Sequence, residues 1–296
     1  MECTVSEAPL GSVAAPADRL DEVVRSITEV STLPQVALEV MRIANDPGSD
    51  AADLRRVVEN DPSLAARIIR LVNSAAYAAR TPVTNLQQAI SFLGFSQVRN
   101  LAVTATVSEL FRSDGLVGPY RRTALWKHLV TVGICARMVA CRCELPQFDD
   151  VFLAGLLHDI GIMLEDQYDH DNFRALLENL TDDVPLETAE RAALGYAHTE
   201  LGEALAVAWR FPPATRAAIR HHHASHLYQG AGATTVACVE VANAVCTIKG
   251  VPSVGRKLLR APIEALRALK FTPDDIRVLA SDLDREVRQS QALFEL

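Results

Sequence analysis

DPSLAARIIRLVNSAAY, residues 61–77, carries the reading on which the fold turns. Asp61 offers a side-chain acceptor to the unpaired N–H groups of a helix start, and Pro62 has its φ already set for the first helical position. Behind them Leu64, Ile68, Leu71 and Val72 recur at three- and four-residue intervals, the period of one helix face. The stretch reads as a helix. Ser96 stands as a second start signal ahead of QVRNLAVTATVSELF, 97–111, which reads the same way. Asn73, at the end of the apolar run, is expected to hydrogen-bond a helix terminus rather than a ligand.

The same period recurs along almost the whole chain, while β-branched runs with period-two alternation are scarce. The expected fold class is therefore all-α, a multi-helix architecture. Breakers at Asn45-Asp46-Pro47-Gly48, Thr81-Pro82, Gly94, Asp114-Gly115 and Gly118-Pro119 divide the first part into a helix array. A long helical stretch follows, PYRRTALWKHLVTVGICARMVACRC (119–143), then a helix that carries LLHDIGIML (156–164). All eight histidines lie in the second part, from His128 onward. That asymmetry suggests a flexible tail at 1–17, a histidine-free helical module at 18–115, and a histidine-bearing module at 116–250 packed against it. A C-terminal helical extension at 251–296 ends in the amphipathic PDDIRVLASDLDREVRQSQALFEL (273–296).

A chain of 296 residues with 49% hydrophobic content can bury a substantial core. Its formal charge of −8, from 29 Lys+Arg against 37 Asp+Glu, repels phosphate backbones and anionic membranes on average, which argues against nucleic acid as a partner. Arg55, Arg56, Arg67, Arg70, Arg99, Arg121 and Arg122 are read as solvated helix faces. The acidic N-terminus MECTVSEAPL lacks the basic and apolar regions of a secretory signal, and no unbroken apolar run approaches the roughly 20 residues of a membrane span. A cytoplasmic location without membrane attachment is expected. Cys3, Cys135, Cys141, Cys143, Cys238 and Cys246 are then reduced thiols acting mostly as small buried hydrophobes. Cys141-x-Cys143 has the wrong spacing for a zinc knuckle.

His158 and Asp159 form a polar pair inside an apolar run. Adjacent on one helix, their side chains leave it about 100° apart, so a shared ion must lie between those directions. His128, His198, His222 and His223 are the other candidates, one ligand per helix, for a divalent ion such as Mn, Fe, Co, Ni or Zn. Each has a simpler reading. A lone helix-face histidine is usually a hydrogen-bonded core residue, a His-Asp pair can satisfy itself, and a histidine run can end a helix in solvent.

The second half, with His128, AGLLHDIG, GYAHTELGEALAVAWRFP and IRHHH, resembles the HD superfamily of metal-dependent phosphohydrolases. The first half narrows the resemblance: LPQVALEVMRIANDP, VVENDPSLAARIIRLVNSAAYA and LQQAISFLGFSQVRNLAV are similar to the HDOD (HD-related output domain) family. The resemblance implies an all-helical domain of bacterial signalling proteins, usually without demonstrated enzymatic activity and often joined to receiver or cyclic-di-GMP-related modules. It carries the metal-ligand role onto His128, His158, Asp159, His198, His222 and His223, with His221 ahead of the usual doublet. Two departures weaken the enzymatic side: Ile162 stands where active relatives often place a lysine after HDIG, and Asn243 stands where they present a final metal-binding Asp. The GYP motif of cyclic-di-GMP phosphodiesterases is also missing after the histidine run. The expectation is a stand-alone regulatory protein acting through a signalling protein partner or a nucleotide second messenger. The alternative is a metal-dependent phosphohydrolase acting on a nucleotide or cyclic dinucleotide. Within the first half, Asn73-Ser74 and Arg99-Asn100 are candidate contacts.

Overall fold

The computed structural model describes residues 16–30, 36, 39–40, 42–43, 46, 48–77, 79–111, 116–118, 120–254 and 260–295. Cys3, residues 1–15 of the proposed tail and much of the LPQVALEVMRIANDP segment lie outside them. Among the described residues the fold is all-helical apart from one small ladder. After α1 (Pro16–Val30) come α2 (Ala51–Glu59), α3 (Pro62–Val72), α4 (Leu86–Leu93) and α5 (Phe95–Val107). Asp61 caps α3 as expected, accepting from the N–H groups of Ser63 and Leu64, and Leu64, Ile68, Leu71 and Val72 are buried. The helix stops at Val72, short of Tyr77. Asn73 closes it by donating to the Ile69 carbonyl at 2.9 Å while pairing through both amide atoms with Val83 at 2.8 Å.

Ser96 is not the start of α5. Gly94, with φ +83°, ends α4 and opens α5 at Phe95 in one residue, a backbone conformation that favours glycine. Between α5 and the next long helix the chain makes a two-residue antiparallel ladder, β1 (Leu116–Val117) with β2 (Tyr120–Arg121). The long helix is α6 (Arg122–Arg142), followed by α7 (Phe148–Leu157), α8 (Ile160–Tyr168), α9 (His170–Asn179) and α10 (Leu186–Ala193). The remaining helices are α11 (His198–Ala208), α12 (Pro213–His221), α13 (Ala233–Ile248), α14 (Ile263–Ala268) and α15 (Pro273–Gln289).

By length and composition α6 could cross a membrane, but 72% of its apolar window is buried here against α7 and α13. One hydrophobic cluster runs from Ile27 through both halves to Leu293. The terminal amphipathic segment packs on the body through Leu279 and Leu283. Several arginines read as solvated prove to be internal ties. Arg67 is buried against Glu109, Arg122 holds the buried Asp166, and Arg99 pairs with Asp150. Asn100 is also buried and donates to the Asp149 carbonyl at 2.7 Å. The Arg99-Asn100 pair thus locks α5 onto the acidic first turn of α7 and is no free contact surface. Arg55 and Arg56 do lie on a solvated face.

The packing that positions the site is a close crossing of α8 and α11. A Cβ added to Gly161 would fall on the His198 carbonyl, and one on the facing Gly202 would meet Ile219 at 2.8 Å. Without side chains at these two points the start of α8 sits directly against the start of α11. Gly161→Ala is expected to force the helices apart and cost about 1–3 kcal/mol, the range for overpacking a core. Urea unfolding followed by circular dichroism checks this, and an unchanged midpoint would contradict the close approach.

Candidate metal centre

LLHDIGIML is not one helix. The chain leaves helical backbone at Asp159 (φ −105°, ψ 19°), which follows the last residue of α7 by two positions and caps α8 without spending its carboxylate on a cap bond. The break replaces the helical divergence of about 100° expected for adjacent side chains. His158 and Asp159 consequently face the same interior point, with His158 Nε2 at 3.2 Å from Asp159 Oδ2.

Four further histidines arrive from three other helices. His128 comes from α6, His198 opens α11, His222 caps the end of α12, and His223 follows it. Asp159 Oδ2 lies 3.5 Å from His128 Nε2, while Oδ1 lies 3.3 Å from His198 Nε2 and 3.1 Å from His222 Nε2. His198 and His223 approach through their Nε2 atoms at 3.1 Å. All but His223 are buried, with Asp159 only 1% exposed.

The outer ring nitrogens decide what the inner ones present. His128 Nδ1 donates to the Val251 carbonyl and His158 Nδ1 to the Gly155 carbonyl, each at 2.7 Å. His222 Nδ1 points at the Ile219 carbonyl at 3.0 Å. A carbonyl can only accept, so in the neutral ring each Nδ1 carries the proton and each Nε2 is left with a lone pair. His128 Nε2 and His158 Nε2 then stand 3.3 Å apart, lone pair against lone pair. Asp159 Oδ1 and His222 Nε2, though neighbours, are both left without a hydrogen bond. A cluster of acceptors with no donor is unfavourable unless a cation or extra protons lie within it.

Extra protons are resisted at His158, whose pKa burial pushes down to about 4. Burial likewise holds His223 well below the usual imidazole value, reinforced by its histidine neighbours. For Asp159, burial pushes upward but the surrounding imidazoles, His158 first, outweigh it and keep the carboxyl well below its ordinary value. His198 differs. Burial lowers its pKa, yet Glu190 and Asp159 on its two sides raise it well above the ordinary value.

The ligand atoms fall into two groups, each gathered within 4.8 Å: His128, His158 and Asp159, and Asp159, His198, His222 and His223. Asp159 belongs to both, one oxygen turned to each. Imidazole nitrogens with a shared carboxylate are a donor set that fits one or two first-row divalent ions. The unpaired Oδ1 and Nε2 are the observation that supports this fit.

The second group opens onto a cavity of about 310 Å³ whose wall includes Glu187, Glu240, Asn243 and Arg260. His128 and His158 do not line it, so the first group is the enclosed one. Asn243 lines the same cavity, its Oδ1 accepting from Thr247 Oγ1 at 3.4 Å. Ile162 is wholly buried in the core and does not face the cavity. His221 stacks on Tyr228 at 5.0 Å, apart from the cluster.

Three acids of the site escaped sequence reasoning. Glu190, fully buried, accepts from both the His198 backbone N–H at 2.9 Å and its Nδ1 at 2.7 Å. Behind it lies Glu165, also fully buried, whose pKa burial and then Glu190 raise well above the carboxylate range. Glu240 sits one helical turn before Asn243 and accepts from the Ser225 N–H at 2.9 Å. Glu187 and Glu190 share a short, acid-bearing helix, and nothing in that spelling separates a histidine clamp from a solvated face.

Comparison with known proteins gives the same framework. An uncharacterized protein of Treponema pallidum (strain Nichols) is 24% identical over 212 residues, 71% of this chain and 39% of that protein. The chain thus spans about two fifths of the length of this relative. An HDOD domain protein of unknown function from Geobacter sulfurreducens has a solved structure at 25% identity and TM-score 0.75, covering 94% of this chain and 98% of the other. A candidate signal transduction protein from Marinobacter aquaeolei VT8, 23% identical, matches at TM-score 0.74 over 95% of this chain and 64% of its own, a likeness of fold. The family description HDOD domain fits residues 30–225, from the end of α1 to the turn beyond the last histidine of the cluster. With its first-half helices, its histidine-bearing half and the hydrophobic core that joins them, this chain belongs to the HDOD domain family.

Proposed function

We propose that this protein is a regulatory HDOD protein that holds a divalent metal centre and receives a nucleotide second messenger in the adjoining cavity without hydrolysing it. The observation that carries the proposal is the set of imidazole Nε2 atoms gathered on the two oxygens of Asp159. His128, His158 and Asp159 would hold one ion, and Asp159, His198, His222 and His223 a second. Glu190 orients His198 and fixes which of its nitrogens faces the centre, as partners behind metal-bound histidines commonly do. A bound divalent ion would supply positive charge at the cavity wall, where a phosphate group could meet it together with Arg260. A volume of about 310 Å³ is at the lower end for small-molecule sites.

Turnover would need more of the cavity than its residues offer. Asn243 stands in the wall with an amide in place of a carboxylate, and Ile162 is packed in the core where it can grip nothing. A phosphohydrolase is the second reading, because the outer ligand group opens directly onto the cavity. Metal-assisted hydrolysis requires such an opening.

Three outcomes test the proposal. Protein purified without chelators and dialysed against Mn²⁺ should carry one to two ions per chain by elemental analysis. Asp159→Ala should lose essentially all of them, and His128→Ala should lose one of two. Equal metal content in wild type and Asp159→Ala would refute the centre. Mn²⁺ affinity should rise with pH: His198, with its raised pKa, holds a proton that must leave before Nε2 can bind. One displaced proton predicts about a tenfold gain per pH unit below that pKa, with proton release seen by calorimetry in buffers of different ionisation enthalpy. Finally, a panel of cyclic mono- and dinucleotides should include one that binds the Mn²⁺-loaded protein and is recovered intact by chromatography. Recovery of hydrolysed product would establish the second reading in its place.

A further inference from the structure

Helix α10 walls the cavity through Leu186, Glu187 and Thr188. Its alanine stripe, Ala189, Ala192 and Ala193, lines a second hollow, a groove of about 400 Å³ whose other bank includes Ala175, Leu176 and Asn179 of α9. At about 100° per residue Glu187 and Ala189 stand roughly on opposite sides of the helix, so α10 is a partition with space on both faces. Val184, just ahead of it, lines both hollows. The only buried residue of α10 is Glu190. Leu186 is half-buried and the stripe offers methyl groups alone, so little apolar surface holds the helix down.

What does hold it is an acid. Glu190 Oε2 accepts from the His198 N–H at 2.9 Å and from His198 Nδ1 at 2.7 Å. His198 is the first residue of α11, so its N–H has no carbonyl partner within the helix, and Glu190 is what satisfies it. Nearer the surface, Thr199 Oγ1 donates to Glu187 Oε1 at 3.2 Å, and Arg191 stands 3.5 Å from Glu200. The Arg191 side chain is exposed, so that pair contributes little. Past the C-terminal end of α10 the buried Leu194 is an anchor, and Gly195, with φ +85°, turns the chain toward α11.

We propose that α10 is a lid on the outer ligand group: Glu190 latches it to His198, and it opens by swinging into the groove over α9, which parts the cavity wall. Opening takes both bonds from His198 together, so the ring loses its orienting partner as the wall parts. The enclosed group does not share this coupling, because His128 Nδ1 and His158 Nδ1 are held by the Val251 and Gly155 carbonyls, which lie on other elements. An ion bound at His198 Nε2 would fix the ring and so hold the latch closed from its far side. The gating of a ligand rests on the reading of the cavity as a metal-edged ligand site; the movement of α10 does not.

The His198 amide reads the latch directly. In the full chain freed of metal, hydrogen exchange followed residue by residue by NMR should find it exchanging at least about tenfold faster than the Leu201 and Leu205 amides, through an opening that leaves α11 intact. Ala192→Trp fills the groove and should slow His198 exchange by about tenfold with Leu201 and Leu205 unchanged, a response that fraying of α11 from its first turn would not give. Ala189→Leu, from the same stripe, serves if Ala192→Trp fails to fold. Saturating Zn²⁺, which is diamagnetic, should slow the His198 amide in the wild type. A His198 amide no faster than Leu201 and Leu205 would overturn the lid, as would exchange that a filled groove leaves unchanged. Zn²⁺ bound without slowing would overturn the coupling of latch to ligand. A chain that binds no Zn²⁺ would fail the metal centre alone, since the ratio in the metal-free wild type still settles whether α10 opens.

Discussion

A single buried carboxylate organises this protein. Asp159 is almost fully removed from water and ringed by imidazole nitrogens from four helices, at 3.1–3.5 Å. Burying such a charge costs several kcal/mol unless it is met by positive charge or hydrogen bonds. The helices that answer it, α6, α7, α11 and α12, are also those that form the core of the second half. The same residue begins α8, where the helix dipole favours a negative group. The demand of one carboxylate for partners and the packing of helices around it are therefore one requirement.

Meeting that requirement depends on three local devices. The backbone break at Asp159 turns His158 and Asp159 to a common point. The missing side chains at Gly161 and Gly202 let α8 and α11 approach until His198 reaches the carboxylate. Carbonyls left by the ends of helices and turns, those of Gly155, Ile219 and Val251, take the outer ring protons and so turn the inner lone pairs inward. The first-half module is tied to this assembly by Arg99, Asn100 and Gln97 against Asp149 and Asp150, on the same helix that ends at the His-Asp pair.

Much of this was legible from the residues. The Asp61-Pro62 start, the three-to-four apolar period and the lack of alternating runs identified helices, because caps and periodicity are local properties. The residue types were legible in the motifs, and the fold gathers His128, His158, Asp159, His198, His222 and His223 around one carboxylate. The break inside LLHDIGIML was not legible, because Leu156, Leu157, Ile160 and Met163 keep helical spacing across it. Ser96 looked like a better cap than Gly94, but a positive φ needed to join two helices in one residue outweighed a side-chain acceptor. Arg67, Arg99 and Arg122 spelled a solvated face; long side chains can instead reach across to acids that are distant in sequence, and sequence spacing does not register such partners.

By itself the sequence determined the all-helical class, the presence of its main helices and the residue types able to ligate a cation, because these follow from local backbone preference and side-chain chemistry. Only the tertiary structure decided that one carboxylate serves two groups of imidazoles and that Glu190 and Glu165 stand behind His198. Those facts depend on how far apart helices pack and in which direction they run. Such quantities are set by the sum of many contacts across the core and belong to no single stretch of chain.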